Sequence, residues 1–313
     1  MVDLEIRELR YFRAVAEELS FSRAAQRLGM AQPPLSRAMQ KLERRLGVQL
    51  FERSNRGVKL TVAGLTLWDE AGNALAAVAA AAHRTSRTAG ETPVLTITAK
   101  PGVATDLLRH TVQVYRALPD AATVQVVVSG YGEQAGMLRD GRADIAILGS
   151  PFDRQGVDIE PLISEPRVAA LPAGHPLARC ESLGCRDLAG LSMPQCPGST
   201  ASDQAYWSGQ DVTLQAEPPK SGPIVHDSSQ LLEHVALGQA VALIPASLAR
   251  HNSRPDIAYR PVHDASPYTT AVAWRSGSRN PWIARLVRTA IELVAGGFGE
   301  YSPEPRPSSG VAL

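Results

Sequence analysis

The stretch that decides the fold is FSRAAQRLGMAQPPLSRAMQKLERRLG, Phe21–Gly47. It predicts two helices joined by a tight turn. The first helix ends at Gly29, because glycine adopts the left-handed backbone of a helix cap without strain. The second begins near Gln32, with Pro33 or Pro34 in its first turn, where a helix does not need the missing amide hydrogen.

The second predicted helix is amphipathic. Its apolar residues recur at spacings of three and four and form one stripe of Leu35, Met39, Leu42 and Leu46. Its other side chains carry amides, hydroxyls and positive charges: Gln32, Ser36, Arg37, Gln40, Lys41, Arg44 and Arg45. Such groups contact base edges and phosphates in a DNA major groove. An ordinary solvated surface is the alternative, but the preceding helix and glycine turn favour DNA binding.

A basic hairpin is predicted directly after these helices. The segment VQLFERSNRGVKLT, residues 48–61, indicates a strand, a turn at Asn55-Arg56-Gly57 and a second strand. Arg53, Arg56 and Lys59 make this hairpin cationic, so it can act as a wing that reaches phosphates or the minor groove. A solvated basic turn is the alternative interpretation.

These features together resemble a known family. Residues 8–64, ELRYFRAVAEELSFSRAAQRLGMAQPPLSRAMQKLERRLGVQLFERSNRGVKLTVAG, are similar to the winged helix-turn-helix of LysR-type transcriptional regulators. The likeness is gap-free here and continues more loosely to about Val294. We therefore expect double-stranded promoter DNA as a partner, with RNA polymerase as a further candidate partner. The predicted DNA-binding residues are Gln32, Pro33, Pro34, Ser36, Arg37, Gln40, Lys41, Arg53 and Arg56.

Composition and charge agree with a DNA-binding head on a larger body. The chain has 313 residues, of which 44% are hydrophobic, and it is long enough for two or three domains. Residues 1–60 hold twelve Lys and Arg against seven Asp and Glu, so this part is basic although the whole chain carries only +1. No apolar run approaches the ~20 residues of a membrane span, and no signal core is visible. We expect a cytoplasmic protein without a membrane partner.

One long helix is predicted over residues 61–88, an alanine-rich segment without proline. A heptad-like seam of mostly small residues runs along it: Leu65, Trp68, Gly72, Leu75, Ala79 and Ala82. This seam predicts a homodimer, and packing against the chain's own body is the alternative. By resemblance, this is the linker helix through which LysR-type subunits pair. Residues 89–93 should form a hinge.

Residues 94–296 alternate predicted strands and helices in two sets, which indicates a bilobed α/β domain. This region resembles the effector-binding domain of the same family, itself similar to periplasmic solute-binding proteins. The whole chain is then an α+β multidomain protein: a winged helix-turn-helix over residues 1–60, the linker helix, the hinge and the bilobed domain. The resemblance also implies a homotetramer. The tail, residues 297–313, is rich in Gly, Pro and Ser and is predicted to be disordered.

Two loops are predicted to bind an effector between the lobes. Ligands of open α/β sheets lie beyond the carboxyl ends of the strands, where helix N-termini favour anions. The predicted effector-binding residues are Lys100, Pro101, Gly102, Ser129, Gly198, Ser199, Thr200 and His226. Resemblance supports a small, often anionic, effector. Lys100 replaces the Ser or Thr more usual in the family, and either pairs with a carboxylate or points to solvent.

Catalytic and metal-binding motifs are not evident in the sequence. There is no nucleophile elbow, phosphate-binding glycine loop or HExxH spacing, so we expect neither an enzyme nor a cofactor. A redox-sensing regulator is one alternative, because Cys196 lies near the position of the reactive cysteine in the family's peroxide sensors. Its resolving partner would be Cys180 or Cys185. An α/β enzyme with a basic head is a second alternative.

Overall fold

A computed structural model describes residues 4–54, 57–87, 93–100, 102–212 and 217–298. The chain divides into two units, Met1–Ala89 with Arg139–Gly141 and the remainder, which we describe separately. Three predictions fall outside the described residues: Arg56 of the wing, Pro101 of the first effector loop, and the hinge except for Pro93. Most of the predicted tail also falls outside them.

The first unit contains a helix-turn-helix, a two-stranded hairpin and a long helix. Its elements are α1 (Ile6–Glu18), α2 (Phe21–Arg27), α3 (Gln32–Leu46), β1 (Phe51–Ser54), β2 (Gly57–Leu60) and α4 (Val62–Arg87). The strands β1 and β2 pair antiparallel, with Phe51 opposite Leu60. This is the winged helix-turn-helix that the sequence predicts.

Local sequence sets the ends of the two central helices. The hydroxyl of Ser20 accepts a hydrogen bond from the Arg23 amide and caps α2. Gly29, with φ of 65°, makes the turn, and Gly47, with φ of 72°, ends α3. Leu35, Met39 and other apolar side chains of this unit are fully buried and hold the helices together.

Leu19 corrects one prediction for the first helix. The spacing of apolar residues predicts a first helix from about Ile6 to Leu19 with Leu19 on its inner face, but the Leu19 side chain is exposed. It caps α1 in a left-handed conformation, with φ of 46°, so the chain turns away before Leu19 can reach the core. The other predicted inner residues, including Phe12 and Val15, are buried.

Some residues of the predicted seam on α4 pack against the first unit, and others are exposed to solvent. Trp68 and Leu75 pack against the apolar core of the first unit, and the Arg13 guanidinium lies 4.4 Å from the Trp68 ring centroid. These two residues follow the alternative that the sequence left open, which is packing against the chain itself. Leu65 is 54% exposed and Val62, one turn earlier, is 83% exposed.

The second unit consists of two α/β lobes. Lobe I has a five-stranded sheet in the order β4-β3-β5-β12-β6, and lobe II has sheets in the orders β10-β7-β11 and β8-β9. The strands are β3 (Val94–Ala99), β4 (Thr123–Val128), β5 (Ile145–Gly149), β6 (Val157–Glu165), β7 (Arg167–Pro172), β8 (Ser192–Gln195), β9 (Lys220–Ile224), β10 (Ala242–Pro245), β11 (Ile257–Pro261) and β12 (Tyr268–Arg275). The helices are α5 (Thr105–Arg116), α6 (Gln134–Arg139), α7 (Ala201–Ser208), α8 (Ser228–Ala236), α9 (Ala246–His251) and α10 (Pro281–Ala295), with short 3-10 turns at Pro176–Arg179 and Cys185–Leu188.

The chain crosses between the lobes twice. It leaves lobe I between β6 and β7, at Pro166, and returns between β11 and β12. The strands β3, β4 and β5 are parallel, whereas β12 runs antiparallel to both β5 and β6. The sequence does not predict β6, whose buried and exposed residues do not alternate regularly.

One residue of α7 ties the two crossings together. The Tyr206 hydroxyl lies 2.8 Å from the Ser150 hydroxyl of lobe I and donates to the Pro267 carbonyl of the second crossing, at 2.9 Å. Arg167, at the first crossing, donates to the Tyr206 carbonyl and to the Ser266 carbonyl, both at 2.5 Å. Its guanidinium also stacks 3.9 Å from the Tyr206 ring centroid.

No helix in the described part of the chain combines the length and the apolar character needed to cross a bilayer.

Candidate DNA-binding surface and effector cavity

The exposed face of α3 carries most of the predicted DNA-binding residues. Gln32, Arg37, Gln40 and Lys41 are exposed, while Ser36 is half-buried. Pro33 is exposed and Pro34 half-buried, both in the first turn of α3. The helix therefore offers two amides and two cations on one surface, because its apolar stripe is buried behind them.

Arg53 of the wing lies against α3. Its guanidinium donates to the Ser36 hydroxyl at 3.2 Å, stacks 4.3 Å from the Phe21 ring centroid and lies 3.7 Å from a Glu43 carboxylate oxygen. These contacts orient the side chain next to the polar face. In this arrangement Arg53 places its charge beside the polar face of α3.

Arg45 does not belong to this exposed surface. The sequence groups it with the polar side chains of α3, but its guanidinium forms an ion pair with Glu8 of α1. Glu8 is buried, so this pair fixes α3 against α1 and is structural.

A cavity of about 1180 Å³ lies between the two lobes of the second unit. Lobe I contributes Lys100, Tyr131 and Ser150 to its lining, and lobe II contributes Cys196 and Trp207. The loops meet across it, since the Tyr131 hydroxyl donates to the Ser228 hydroxyl at 2.9 Å. The cavity lies beyond the carboxyl ends of β3 and β5, where ligands of α/β sheets bind.

Lys100 is held among three aromatic rings. Its Nζ lies 5.4 Å from the Tyr131 ring centroid, 5.7 Å from that of Trp207 and 5.0 Å from that of Tyr268. These distances suit cation–π attraction. Among the described residues, no carboxylate forms an ion pair with this ammonium. Tyr131 and Tyr268 belong to lobe I and Trp207 belongs to lobe II, so the cage depends on the arrangement of the lobes.

We expect the burial of Lys100 to appear in the pH dependence of stability. Burial lowers the pKa of the ammonium, against the opposing influence of Tyr131, Cys196 and Glu165. The unfolded chain then holds this proton to higher pH than the folded protein. Unfolding free energy therefore rises with pH between the lowered folded pKa and the ordinary value of 10.5.

The Lys100→Met variant lacks this proton and serves as the reference. Urea denaturation of both proteins from about pH 7 to about pH 10 measures the difference in unfolding free energy. This difference should shift in favour of the parent as the pH rises. A difference that does not change with pH would contradict the burial of a titrating lysine.

The second predicted effector loop, Gly198–Thr200, already binds a carboxylate of the protein itself, that of Asp203. The Thr200 amide donates to the Asp203 carboxylate at 2.8 Å, and the Asp203 amide donates to the Thr200 hydroxyl at 3.1 Å. The Ser199 amide donates to the Cys196 carbonyl. Gly198, Ser199 and Thr200 do line the cavity. However, the Asp203 carboxylate occupies the N-terminus of α7, where an anion would otherwise be favoured.

The other predicted effector residues have different surroundings. Ser129 is buried, and its hydroxyl lies 2.8 Å from the Thr98 hydroxyl and accepts from Gln134 at 2.8 Å. Gly102 packs against lobe II, since a Cβ there would lie 2.8 Å from a Leu248 methyl group. His226 is exposed and lines the cavity. Of these three residues, His226 is the one that lines the cavity.

The cysteines do not favour redox sensing. Burial raises the pKa of the Cys196 thiol, and Lys100 opposes this only in part. Burial, with Asp264, raises the pKa of Cys185 to about 12. Thiols with raised pKa values stay protonated and react slowly with peroxide. Within the described residues, no cluster of three or more His, Cys, Asp or Glu is arranged to hold a metal ion.

Sequence reasoning missed the aromatic residues around Lys100. Tyr131, Trp207 and Tyr268 are far apart in the chain, and nothing in their local sequence marks them as neighbours. In the sequence, only Lys100 indicated an unusual site, because it stands where Ser or Thr is more usual.

A winged helix-turn-helix and a two-lobed α/β domain with a central cavity define a DNA-binding regulator with an effector-binding domain. The chain belongs to the LysR family of bacterial transcriptional regulators. Residues 6–65 match the family model described as "Bacterial regulatory helix-turn-helix protein, lysR family", and residues 88–295 match that of the "LysR substrate binding domain".

Characterised relatives and solved structures agree over nearly the full chain. The Hca operon transcriptional activator HcaR of Escherichia coli is 29% identical over 297 residues, covering 93% of this chain and 99% of HcaR. The regulator AlsR of Bacillus subtilis is 31% identical, covering 91% and 94%. Full-length BenM superimposes with a TM-score of 0.53 at 28% identity, covering 96% and 100%. CbnR complexed with its target DNA gives 0.51 at 26%, covering 93% and 100%.

Proposed function

We propose that the chain reads promoter DNA with α3 and holds the DNA backbone with the wing. The exposed polar face of α3 carries this proposal. Ser36, Arg37 and Gln40 are assigned to base edges, and Lys41 and Arg53 to phosphates. By sequence, Arg56 joins the phosphate set. The solved complex of the similar regulator CbnR with its target DNA supports the assignment of DNA as the partner.

Binding to duplex DNA should be specific and sensitive to salt. The chain is first used to select a site from random duplexes, and its affinity is then measured at increasing salt concentration. Because lysines and arginines release counterions from phosphates, log K should fall linearly with log salt concentration. Failure to enrich any sequence, or an affinity independent of salt, would contradict the assignment of α3 and the wing.

We further propose that a small anionic effector binds in the cavity and pairs with Lys100. The aromatic rings hold the ammonium without a carboxylate partner, so an effector anion can take that place. The cage combines residues of both lobes, so an anion would favour the lobe arrangement that assembles it. An effector shifts a conformational equilibrium only through such a difference in affinity.

The linker helix is proposed to pair with a second copy of the chain. Val62 and Leu65 are the exposed apolar residues at its start. The contact with a further dimer, which would give a tetramer, is assigned to β4. This strand lies at the edge of its sheet and exposes Val126, Val127 and Val128. An edge strand with exposed apolar residues is suited to pairing with another chain.

The Leu65→Asp variant should dissociate to a greater extent than the parent. A charge buried in the seam without a partner costs several kcal/mol, so the dimer dissociation constant should rise at least ~10-fold. Thr66→Asp is the matched control, because it adds the same charge at the neighbouring exposed position. Light scattering at several protein concentrations measures the dimer dissociation constants of both variants. A monomeric parent, or equal effects of the two variants, would rule out this seam.

We also propose that the protein acts without catalysing a reaction. Its relatives are transcriptional regulators, and the polar groups around the cavity bind one another instead of forming a nucleophile–base pair. Ligand binding alone accounts for the arrangement.

A further inference from the structure

The cavity holds little positive charge apart from Lys100. Its charged lining residues are two lysines, Lys100 and Lys220, and three carboxylates, Glu133, Asp153 and Asp203. Lys220, Glu133 and Asp153 are exposed, so water weakens their charges, whereas Asp203 is half-buried. A ligand with one negative charge can pair with Lys100. A second negative charge would meet a lining in which carboxylates outnumber the remaining lysine.

The three carboxylates are fixed in the wall. Each accepts a hydrogen bond from a backbone amide nearby, at 3.0 Å for Glu133, 2.8 Å for Asp203 and 3.0 Å for Asp153. These bonds hold the three carboxylates in the wall, where like charges repel a second anionic group of a ligand.

Many polar groups of the lining are already bonded within the protein. Tyr131 donates its hydroxyl proton to Ser228, and the Gln134 amide donates to Ser129 at 2.8 Å and to the Gly130 carbonyl at 2.7 Å. Ser150 pairs with Tyr206. A hydroxyl of a ligand would have to replace one of these internal bonds to pair with any of these groups.

The rest of the lining is largely apolar. It includes Val103, Leu148, Phe152, Trp207, Leu231 and Leu248. A volume of about 1180 Å³ with such walls suits an apolar body that gains by leaving water.

We propose that the effector is a carboxylate with a single negative charge and an apolar body, and that the cavity discriminates against dicarboxylates and polyhydroxylated acids. This inference rests on the proposed effector site and names the class of ligand that the site accepts. The discrimination follows from one desolvated cation, fixed wall carboxylates and bonded hydroxyls.

Calorimetry on the full-length protein with matched probes tests this class. Benzoate is compared with terephthalate, and 2-naphthoate with naphthalene-2,6-dicarboxylate, to isolate the second charge. Cyclohexanecarboxylate is compared with quinate to isolate the hydroxyls, and 2-naphthamide removes the charge. The Lys100→Met and Lys100→Gln variants locate the binding, and Lys220→Met is the contrast at the other lysine.

At least one monocarboxylate should bind the parent. Its dicarboxylate, hydroxylated or neutral counterpart should bind at least ~10-fold more weakly, as should either Lys100 variant with the monocarboxylate. Lys220→Met should alter the affinity less than about threefold.

Two results would overturn the inference in different ways. A dicarboxylate or quinate that binds as tightly as its counterpart, and that loses affinity in the Lys100 variants, would refute the class while leaving the effector site in place. No Lys100-dependent binding by any of these acids would refute both the class and the site. DNA binding, measured on the same preparations, tests the other half of the proposed function separately.

Discussion

The Arg37→Ala variant should lose its preference for a selected DNA site while keeping its affinity for unrelated duplexes. Arg37 is exposed on α3, and no ion pair within the described residues holds its guanidinium away from a base. Arginine typically makes two hydrogen bonds to one guanine, and losing them costs about 1–3 kcal/mol. Affinity for the selected site should therefore fall about 10- to 100-fold, as measured by fluorescence anisotropy.

Lys41→Ala provides the matched comparison. Lys41 is exposed on the same helix, but we assign it to a phosphate, which carries no sequence information. Its loss should weaken selected and unrelated DNA alike and reduce the salt slope by about one. If Arg37→Ala behaves in this same uniform way, Arg37 does not read a base.

The Arg167→Leu variant should be strongly destabilised in the second unit. Arg167 is fully buried and donates to the carbonyls of Tyr206 and Ser266, and its Nη2 lies 3.7 Å from an Asp211 carboxylate oxygen. Leucine leaves both carbonyls without this donor and leaves Asp211 without its ion-pair partner. Removing one partner of a buried charged network costs about 3–5 kcal/mol.

Urea denaturation followed by tryptophan fluorescence measures this loss. Three of the four tryptophans, Trp207, Trp274 and Trp282, lie in the second unit, so the signal reports mainly on it. Arg254→Leu is the control. Arg254 forms ion pairs with Glu233 and Asp256, both of which are largely exposed to solvent, so its loss should change stability much less. Equal losses of unfolding free energy in the two variants would show that the burial of Arg167 does not determine its contribution to stability.

The DNA-binding head could be predicted from sequence because its determinants are local. Gly29, Gly47 and the proline pair set the helix ends through backbone geometry, and the stripe of Leu35, Met39 and Leu42 fixes the buried face. Periodicity says which face is apolar but does not say what covers it. Periodicity therefore could not predict that Trp68 and Leu75 of α4 pack against the chain's own core.

The effector cavity could be predicted only in part. The position of Lys100 after β3 follows from strand order, because parallel strands bring their carboxyl ends to one edge. Its aromatic surroundings depend on contacts between residues 131, 207 and 268, and no local pattern encodes them. Sequence reasoning also missed the capping of the α7 N-terminus by Asp203. Thr200 and Asp203 nevertheless have the spacing of a capping box.

The position of Tyr206 has a consequence for the kind of response that the regulator can give. Its hydroxyl bonds to lobe I and to the second crossing, while its carbonyl bonds to Arg167 at the first. Rotation of the lobes would break the bond between the Tyr206 and Ser150 hydroxyls, at a cost of about 0.5–1.5 kcal/mol. This bond should therefore favour the present arrangement of the lobes only slightly, so an effector with a modest difference in affinity between two arrangements could change the fraction of molecules in each.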